Sequence, residues 1–280
     1  MNERNSFEIL CATMNQKDLS LIQRMNINSN VVFANQCDKT TYIEGRCDDK
    51  HYAKMISTET IGVGVNRNLA LLYSSASFCL FSDDDVTYLD NMEELVLEEF
   101  KKYKNADIII FHFNSDSKSR SLKCYSKTHR VSRCSRKPWA TFQIAFKRDA
   151  VIKHNIFFTT LFGGGAKYPC GEDTQWIMSA FKKRLKVYVS QKTIGTVSFK
   201  KSTWFSGYNE SYYYGQGAAY QSHNKNTLLV WLFYVAIKTY KKSNLSFFEC
   251  LRWMLKGANG YKKLLSFEEF LALEAQKIKK

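Results

Sequence analysis

Proline is scarce in this 280-residue chain, which holds 2, so long Pro-rich linkers are excluded. The 8 cysteines (Cys11, Cys37, Cys47, Cys79, Cys124, Cys134, Cys170 and Cys250) contain no C-x-x-C pair. A zinc ribbon or thiol redox motif is therefore not expected. Several have apolar neighbours, as in Phe78-Cys79-Leu80-Phe81, and read as small buried hydrophobes of a reducing compartment. Long hydrophobic runs are missing too. The longest, residues 228–237, falls well short of the roughly 20 residues that span a bilayer. Residues 1–5 precede a short strand instead of the apolar run and small-residue cleavage site of a signal peptide. A cytoplasmic location is expected. Acidic residues are also in deficit, with 26 Asp and Glu against 41 Lys and Arg, for a formal net charge of +15. Such a balance attracts the phosphates of nucleic acid, nucleotides or anionic lipid, and composition does not choose among them.

What is present is ordinary globular material, 45% hydrophobic and 24% charged. Aromatics reach 15%, with 20 Phe and 16 Tyr, which implies a bulky core and tyrosines lining a cleft. Short apolar runs alternate with helical segments. Strands are expected at residues 7–12, 30–35, 77–81, 106–111 and 141–146, and helices at 18–25, 66–75, 91–103 and 172–183. Residues 115–138 read as a long loop or irregular hairpin, and no internal repeat is found. Alternation of this kind predicts an α/β fold with a mainly parallel sheet covered on both faces. Ligands of such sheets bind beyond the carboxyl ends of the strands.

Three segments carry chemistry. Phe81-Ser82-Asp83-Asp84-Asp85-Val86 places three consecutive carboxylates after a buried strand. Their mutual repulsion calls for a counter-charge, and a divalent cation bridging to a diphosphate would supply one. The alternative is a helix N-cap cluster. Upstream, Gly62-Val63-Gly64-Val65-Asn66-Arg67-Asn68-Leu69-Ala70 offers glycines for close backbone approach, Asn66 as a cap and Arg67 as a phosphate grip; an ordinary loop before a helix reads as well. Downstream, Gly163-Gly164-Gly165 leads to Cys170-Gly171-Glu172-Asp173. A mobile glycine loop that closes on substrate, with Asp173 removing a proton from an attacking hydroxyl, is one reading; helix capping is the other.

Taken in order, the three segments resemble the family 2 glycosyltransferases of the GT-A fold, especially the bacterial enzymes of capsular and lipopolysaccharide synthesis. The resemblance runs from about residue 7 to 219. Gly64 to Ala70 looks like the G-x-x-x-A-R-N-x-A-L element with Asn66 in place of the usual Ala, Ser82-Asp83-Asp84-Asp85 like the D-x-D motif, and Gly171-Glu172-Asp173 like the G-E-D motif. The glycine loop, Ser202-Thr203-Trp204 and residues 212–218 are similar to segments of the capsular-type members. The resemblance implies a catalytic domain over 1–222, with a nucleotide-sugar half to about 112 and an acceptor half after it; beyond it, residues 223–280 read as a basic, amphipathic helical C-terminal region.

It also implies roles. Asp173 would be the general base of an inverting displacement, with Glu172 positioning the acceptor. Thr13, Asp38, Arg67, Asp83 and Asp84 would hold the nucleotide sugar, by default a UDP-sugar. Asp85 would bind Mn²⁺ or Mg²⁺, and Gly164, Gly165 and Trp204 would serve the acceptor and its loop. The chain departs from the family in two places. No Q-x-x-R-W follows Asp173, which disfavours polymerising activity, and residues 198–202 lack the late metal-binding His of many GT-A enzymes. Lys200 and Lys201 are alternatives for meeting the diphosphate, and His223 is a distant candidate ligand.

Residues 224–280 hold 11 basic and 4 acidic residues, a net +7, interleaved with bulky apolar and aromatic groups. This pattern suits peripheral association with an anionic membrane, the inner face of the cell membrane if the acceptor is lipid-linked; packing on the catalytic domain with a solvated basic face is the alternative. Two other functions compete with sugar transfer. A nucleotidyltransferase would release pyrophosphate, and a non-catalytic binding subunit would tolerate loss of Asp85 and Asp173. Nucleic-acid binding has no motif to support it.

Overall fold

A computed structural model describes residues 6–117, 122–132, 139–199, 207–223 and 225–278. Trp204, Lys200, Lys201, Ser202, Thr203 and Cys134 lie outside them. The chain forms two compact units. One comprises Met1–Ile61, Val65–Phe158 and Trp176–Lys201; the other comprises Gly62–Gly64, Thr159–Gln175 and Ser202–Lys280.

In the first unit the described chain runs through β1 (Phe7–Met14), α1 (Leu21–Arg24), β2 (Asn30–Gln36), β3 (Thr41–Arg46) and β4 (Tyr52–Thr58). It continues through α2 (Val63–Tyr73), β5 (Phe78–Asp83), β6 (Val86–Tyr88), α3 (Met92–Lys102), β7 (Ile108–Ser115) and β8 (His129–Arg130). It ends with β9 (Ile144–Lys147), α4 (Arg148–Lys153), α5 (Glu172–Lys182) and β10 (Val187–Val197). The first turns of α2 and α5 belong to the second unit. The strands form one mixed sheet in the order β3-β4-β2-β1-β5-β9-β7-β10-β6, with β8 beside β10. β4, β2, β1 and β5 run parallel, and β9 enters antiparallel between β5 and β7.

The apolar runs of the inner strands are continuous because both faces are covered. Successive residues point to opposite sides: Ile9, Val31, Phe33 and Leu80 join one core, which includes Leu21, Val96 and Phe100 of α1 and α3. Leu10, Val32, Ala34 and Phe81 join the other, which includes Ala70, Leu71 and Val151. In that second core Trp176 is 1% exposed and packs its ring within 5.8 Å of Phe81, Phe146 and Phe158.

Several elements differ from the sequence reading. The β3, β4, β6 and β10 strands were not expected, because their side chains mix polar and apolar residues and three of them lie toward the sheet edges or carry irregular pairing. At 141–146 a 3₁₀ turn, Thr141–Gln143, precedes a strand of only four residues. One charge sits inside β1: Glu8 is fully buried and accepts from the Ser75 and Ala76 amides at 2.9 and 3.1 Å and from the Tyr52 hydroxyl. Those donors make a carboxylate tolerable in a core strand.

Among the described residues the second unit holds the loop from 159 to 171 and the helices α6 (Glu210–His223), α7 (Leu228–Thr239), α8 (Phe247–Lys262) and α9 (Phe267–Ile278). α8 begins with a capping box, Ser246 accepting from the Glu249 amide while Glu249 accepts from the Ser246 amide. α6 and α8 cross in direct backbone contact. A Cβ at Gly217 would lie 1.8 Å from the Met254 carbonyl oxygen, and one at Gly257 would lie 1.9 Å from that of Tyr214. Among the described residues no helix is long and apolar enough to cross a membrane.

Candidate active site

The parallel pairing of β1 with β5 brings their carboxyl ends side by side, with Ala12 opposite Asp83. Asp83 closes β5, Asp84 and Asp85 form a two-residue turn, and β6 starts at Val86. The helix-cap reading of the aspartate run therefore fails: the next helix, α3, starts only at Met92. The reading as the end of a buried strand stands, although the strand is the fifth along the chain where three were counted.

Each aspartate has a different environment. Asp83 is held by Arg67, whose guanidinium nitrogen lies 2.9 Å from its carboxylate. The Arg67 side chain is 5% exposed and its guanidinium carbon lies 5.3 Å from the Phe158 ring centroid. Asp84 is exposed and accepts a 2.5 Å hydrogen bond from the Thr13 hydroxyl at the end of β1. Asp85 is half-buried, and one carboxylate oxygen, Oδ1, is buried without a hydrogen-bond partner. Burial, then the charges of Asp83 and Asp84, push its carboxyl up to about 7.

The flanking motif explains how the turn is held. Asn66 lies within α2 and so does not cap it; it is 3% exposed and donates to the Thr13 carbonyl at 3.2 Å. Asn68 clamps the Phe158 backbone twice, donating to its carbonyl at 2.9 Å and accepting from its amide at 2.8 Å. Asn66, Arg67 and Asn68 thus tie α2 to β1, to the aspartate turn and to the segment after α4. The sequence marks this motif, but the contacts expected of it were a helix cap for Asn66 and a phosphate for Arg67.

Two residues at the site went unnoticed in the sequence. Asp116, just beyond β7, accepts from the Ser198 hydroxyl at 2.6 Å and the Phe199 amide at 3.1 Å, and the Ser198 amide donates to the Asp85 carbonyl at 2.9 Å. Nothing in the local sequence marks this pair; the parallel pairing of β7 and β10 creates it. Asp38 is exposed in the bend after β2, where Asn35 bonds the Ser57 hydroxyl at 2.9 Å and both backbone groups of Gln16.

The remaining sequence candidates lie in the second unit, apart from Trp204. Glu172 and Asp173 occupy the first turn of α5, after Gly171 with a φ of +110°. Gly163, with φ +103°, has no room for a side chain: a Cβ there would lie 2.8 Å from the Glu172 carboxyl carbon. The Gly164 carbonyl accepts from the Val63 amide at 2.9 Å, and Lys167 pairs with Glu269 of α9 at 2.9 Å. Gly165 has φ +76°. His223, the distant metal candidate, closes α6.

The chemistry of Asp85 fits a divalent cation. A carboxylate with one buried, unpartnered oxygen and weakened acidity lacks a counter-charge, which a cation would provide. Among the described residues no group of three His, Cys, Asp or Glu side chains is placed to hold a metal. A cation at Asp85 would then take its other ligands from substrate phosphate and water, the usual habit of Mg²⁺.

The architecture resembles S. aureus TarS. Its segment 1–349 in complex with UDP-GlcNAc matches with a TM-score of 0.57 at 16% identity, over 94% of this chain and 77% of that one. The fold is GT-A-like. The same TarS segment in complex with UDP gives a TM-score of 0.55 at 15% identity, over 94% and 76%. The longer TarS chain gives 0.54 at 15%, over 94% of this chain and 44% of that one. No family model and no curated protein matches the chain by sequence. At such identities the likeness establishes the GT-A-like fold, and function is argued from the site.

Proposed function

We propose that the chain is an inverting glycosyltransferase that moves a single sugar from a UDP-sugar to a glycan acceptor, lipid-linked as the family resemblance implies. The observation that carries this reading is Asp85, a half-buried carboxylate with an unpartnered oxygen at the carboxyl end of β5 in a GT-A-like sheet. Support for the donor comes from TarS, solved with UDP-GlcNAc and with UDP on a similar fold.

In this reading Thr13, Asp38, Asp83 and Asp84 border the nucleotide, and Arg67 sets the position of Asp83 through their ion pair. Asp85 would hold Mn²⁺ or Mg²⁺, and the ion would supply positive charge to offset that of the nucleoside diphosphate. Asp173 accepts the proton of the acceptor hydroxyl as its oxygen attacks the anomeric carbon and the bond to the diphosphate breaks. Glu172, Gly164, Gly165 and Trp204 serve the acceptor loop. The assay is a panel of nucleotide sugars with Mn²⁺, reading released nucleoside diphosphate. Release of pyrophosphate would favour a nucleotidyltransferase, and no turnover or donor binding across the panel would overturn the proposal.

A further inference from the structure

In the second unit the outward face of α7 is apolar where a solvated surface is normally polar. Leu229, Val230, Phe233, Tyr234 and Ile237 are 49–69% exposed, and they recur at helical spacing so that they share one face. Phe233 at its edge also lines a groove of about 650 Å³ formed with α8 and α9. The groove's apolar lining includes Phe248, which is 78% exposed, with Leu255 and Phe270. Its charged lining is Arg252, Lys256, Lys263 and Lys277 against a single acid, Glu274. Lys256 is held over aromatic faces, 4.2 Å from the Trp253 centroid and 5.5 Å from that of Phe270. At the end of α7, Lys238 bonds the Tyr234 hydroxyl at 3.0 Å.

We propose that this groove and the exposed face of α7 dock on an anionic phospholipid bilayer. The apolar side chains enter the boundary between headgroups and acyl chains, and the cations pair with lipid phosphates. Charge complementarity selects this occupant. A second copy of the chain related by a two-fold axis would bring together two patches that each carry Arg252, Lys256 and Lys263 beyond the Lys277–Glu274 ion pair at 3.2 Å, a repulsive arrangement. A free phosphate would use the cations and leave the apolar stripe in water. α7 has 12 residues, about 18 Å of helix, so it lies along the interface and does not cross it. The proposal is independent of sugar transfer, because binding to vesicles needs neither donor nor acceptor.

The test is flotation of the full chain with phosphatidylcholine vesicles, with and without phosphatidylglycerol. The wild type should float with the anionic vesicles at least about tenfold more strongly than with the neutral ones. Phe233→Glu combined with Phe248→Glu, and separately Arg252→Glu combined with Lys263→Glu, should each reduce binding about tenfold or more. All four positions are solvent-exposed, so thermal melting should be unchanged, and so should donor hydrolysis in vesicle-free solution. Equal binding to both vesicle types, unchanged binding of the Phe pair variant, or a stable dimer that this variant dissociates would overturn the proposal.

Discussion

The guanidinium of Arg67 lies 2.9 Å from the carboxylate of Asp83, with the arginine almost wholly buried and the aspartate about one-third exposed. A permanent positive charge inside α2 is thus spent on fixing the end of β5. Removing it takes this positive charge away from Asp83, which stands beside Asp84 and Asp85. Arg67→Ala should destabilise the fold by about 2–4 kcal/mol, and Arg67→Lys by less, since a lysine keeps the charge without the planar fork. Urea unfolding checks both. A double-mutant cycle with Asp83→Asn should show a coupling of about 1 kcal/mol or more, and strict additivity would mean the ion pair is idle.

The Asp85 carboxyl, pushed up to about 7 by burial and its acidic neighbours, makes stability depend on pH. Unfolding returns it to roughly 3.9, so the folded chain holds the proton more tightly. This group's favourable contribution is complete below about pH 4 and is lost as pH rises through about 7. In chelator, stability should fall by roughly 2–4 kcal/mol between those limits, an upper range given partial solvation. Asp85→Asn should flatten that part of the curve and make the metal-free protein more stable at neutral pH. An unaltered slope in the variant would assign the dependence elsewhere.

If Asp173 is the base, Asp173→Asn should reduce transfer about 10²-fold or more while nucleotide binding stays within a few-fold of wild type. Asp85→Ala should instead weaken nucleotide binding and only in the presence of Mn²⁺ or Mg²⁺. Titration calorimetry with UDP alongside turnover separates the two. Full activity in either variant would remove that residue from the mechanism.

The crossing of α6 and α8 leaves no space at Gly257, where a Cβ would meet the Tyr214 carbonyl oxygen at 1.9 Å. Gly257→Ala should therefore destabilise the second unit by about 1–3 kcal/mol, despite alanine's better helix propensity. The same change at Gly207, where nothing lies within 4 Å of a Cβ but φ is +102°, should cost about 1 kcal/mol from backbone strain alone. Chemical unfolding of the pair distinguishes packing from strain.

Much of the first unit could be read directly. Continuous Val, Ile, Leu and Phe runs in β1, β2, β5 and β7 declare buried strands because local hydrophobicity reports burial on both faces. The strands β3 and β10 could not be found that way. β3 alternates half-buried and exposed residues, and β10 carries Ser190, Gln191 and Lys192 across a break in its pairing with β7. Their place is set by partners distant in sequence. The second unit was less legible still, since its helices were expected only as one basic helical region from 223 onward, without their number or bounds.

By itself the sequence determined that three carboxylates would follow a buried strand, that Arg67 would precede them along the chain in an Asn-Arg-Asn run, and that a glycine loop would precede Glu172 and Asp173. Those are local facts of composition and spacing. Tertiary structure decided how the three aspartates differ. Arg67 reaches Asp83, Thr13 reaches Asp84, and Asp85 keeps a buried oxygen with no partner. It also brought Asp116 and Ser198 to the same turn. Such differences arise from packing between β1, α2, β5, β7 and β10, and a carboxylate's charge state depends on what surrounds it in space, which neighbours along the chain do not reveal.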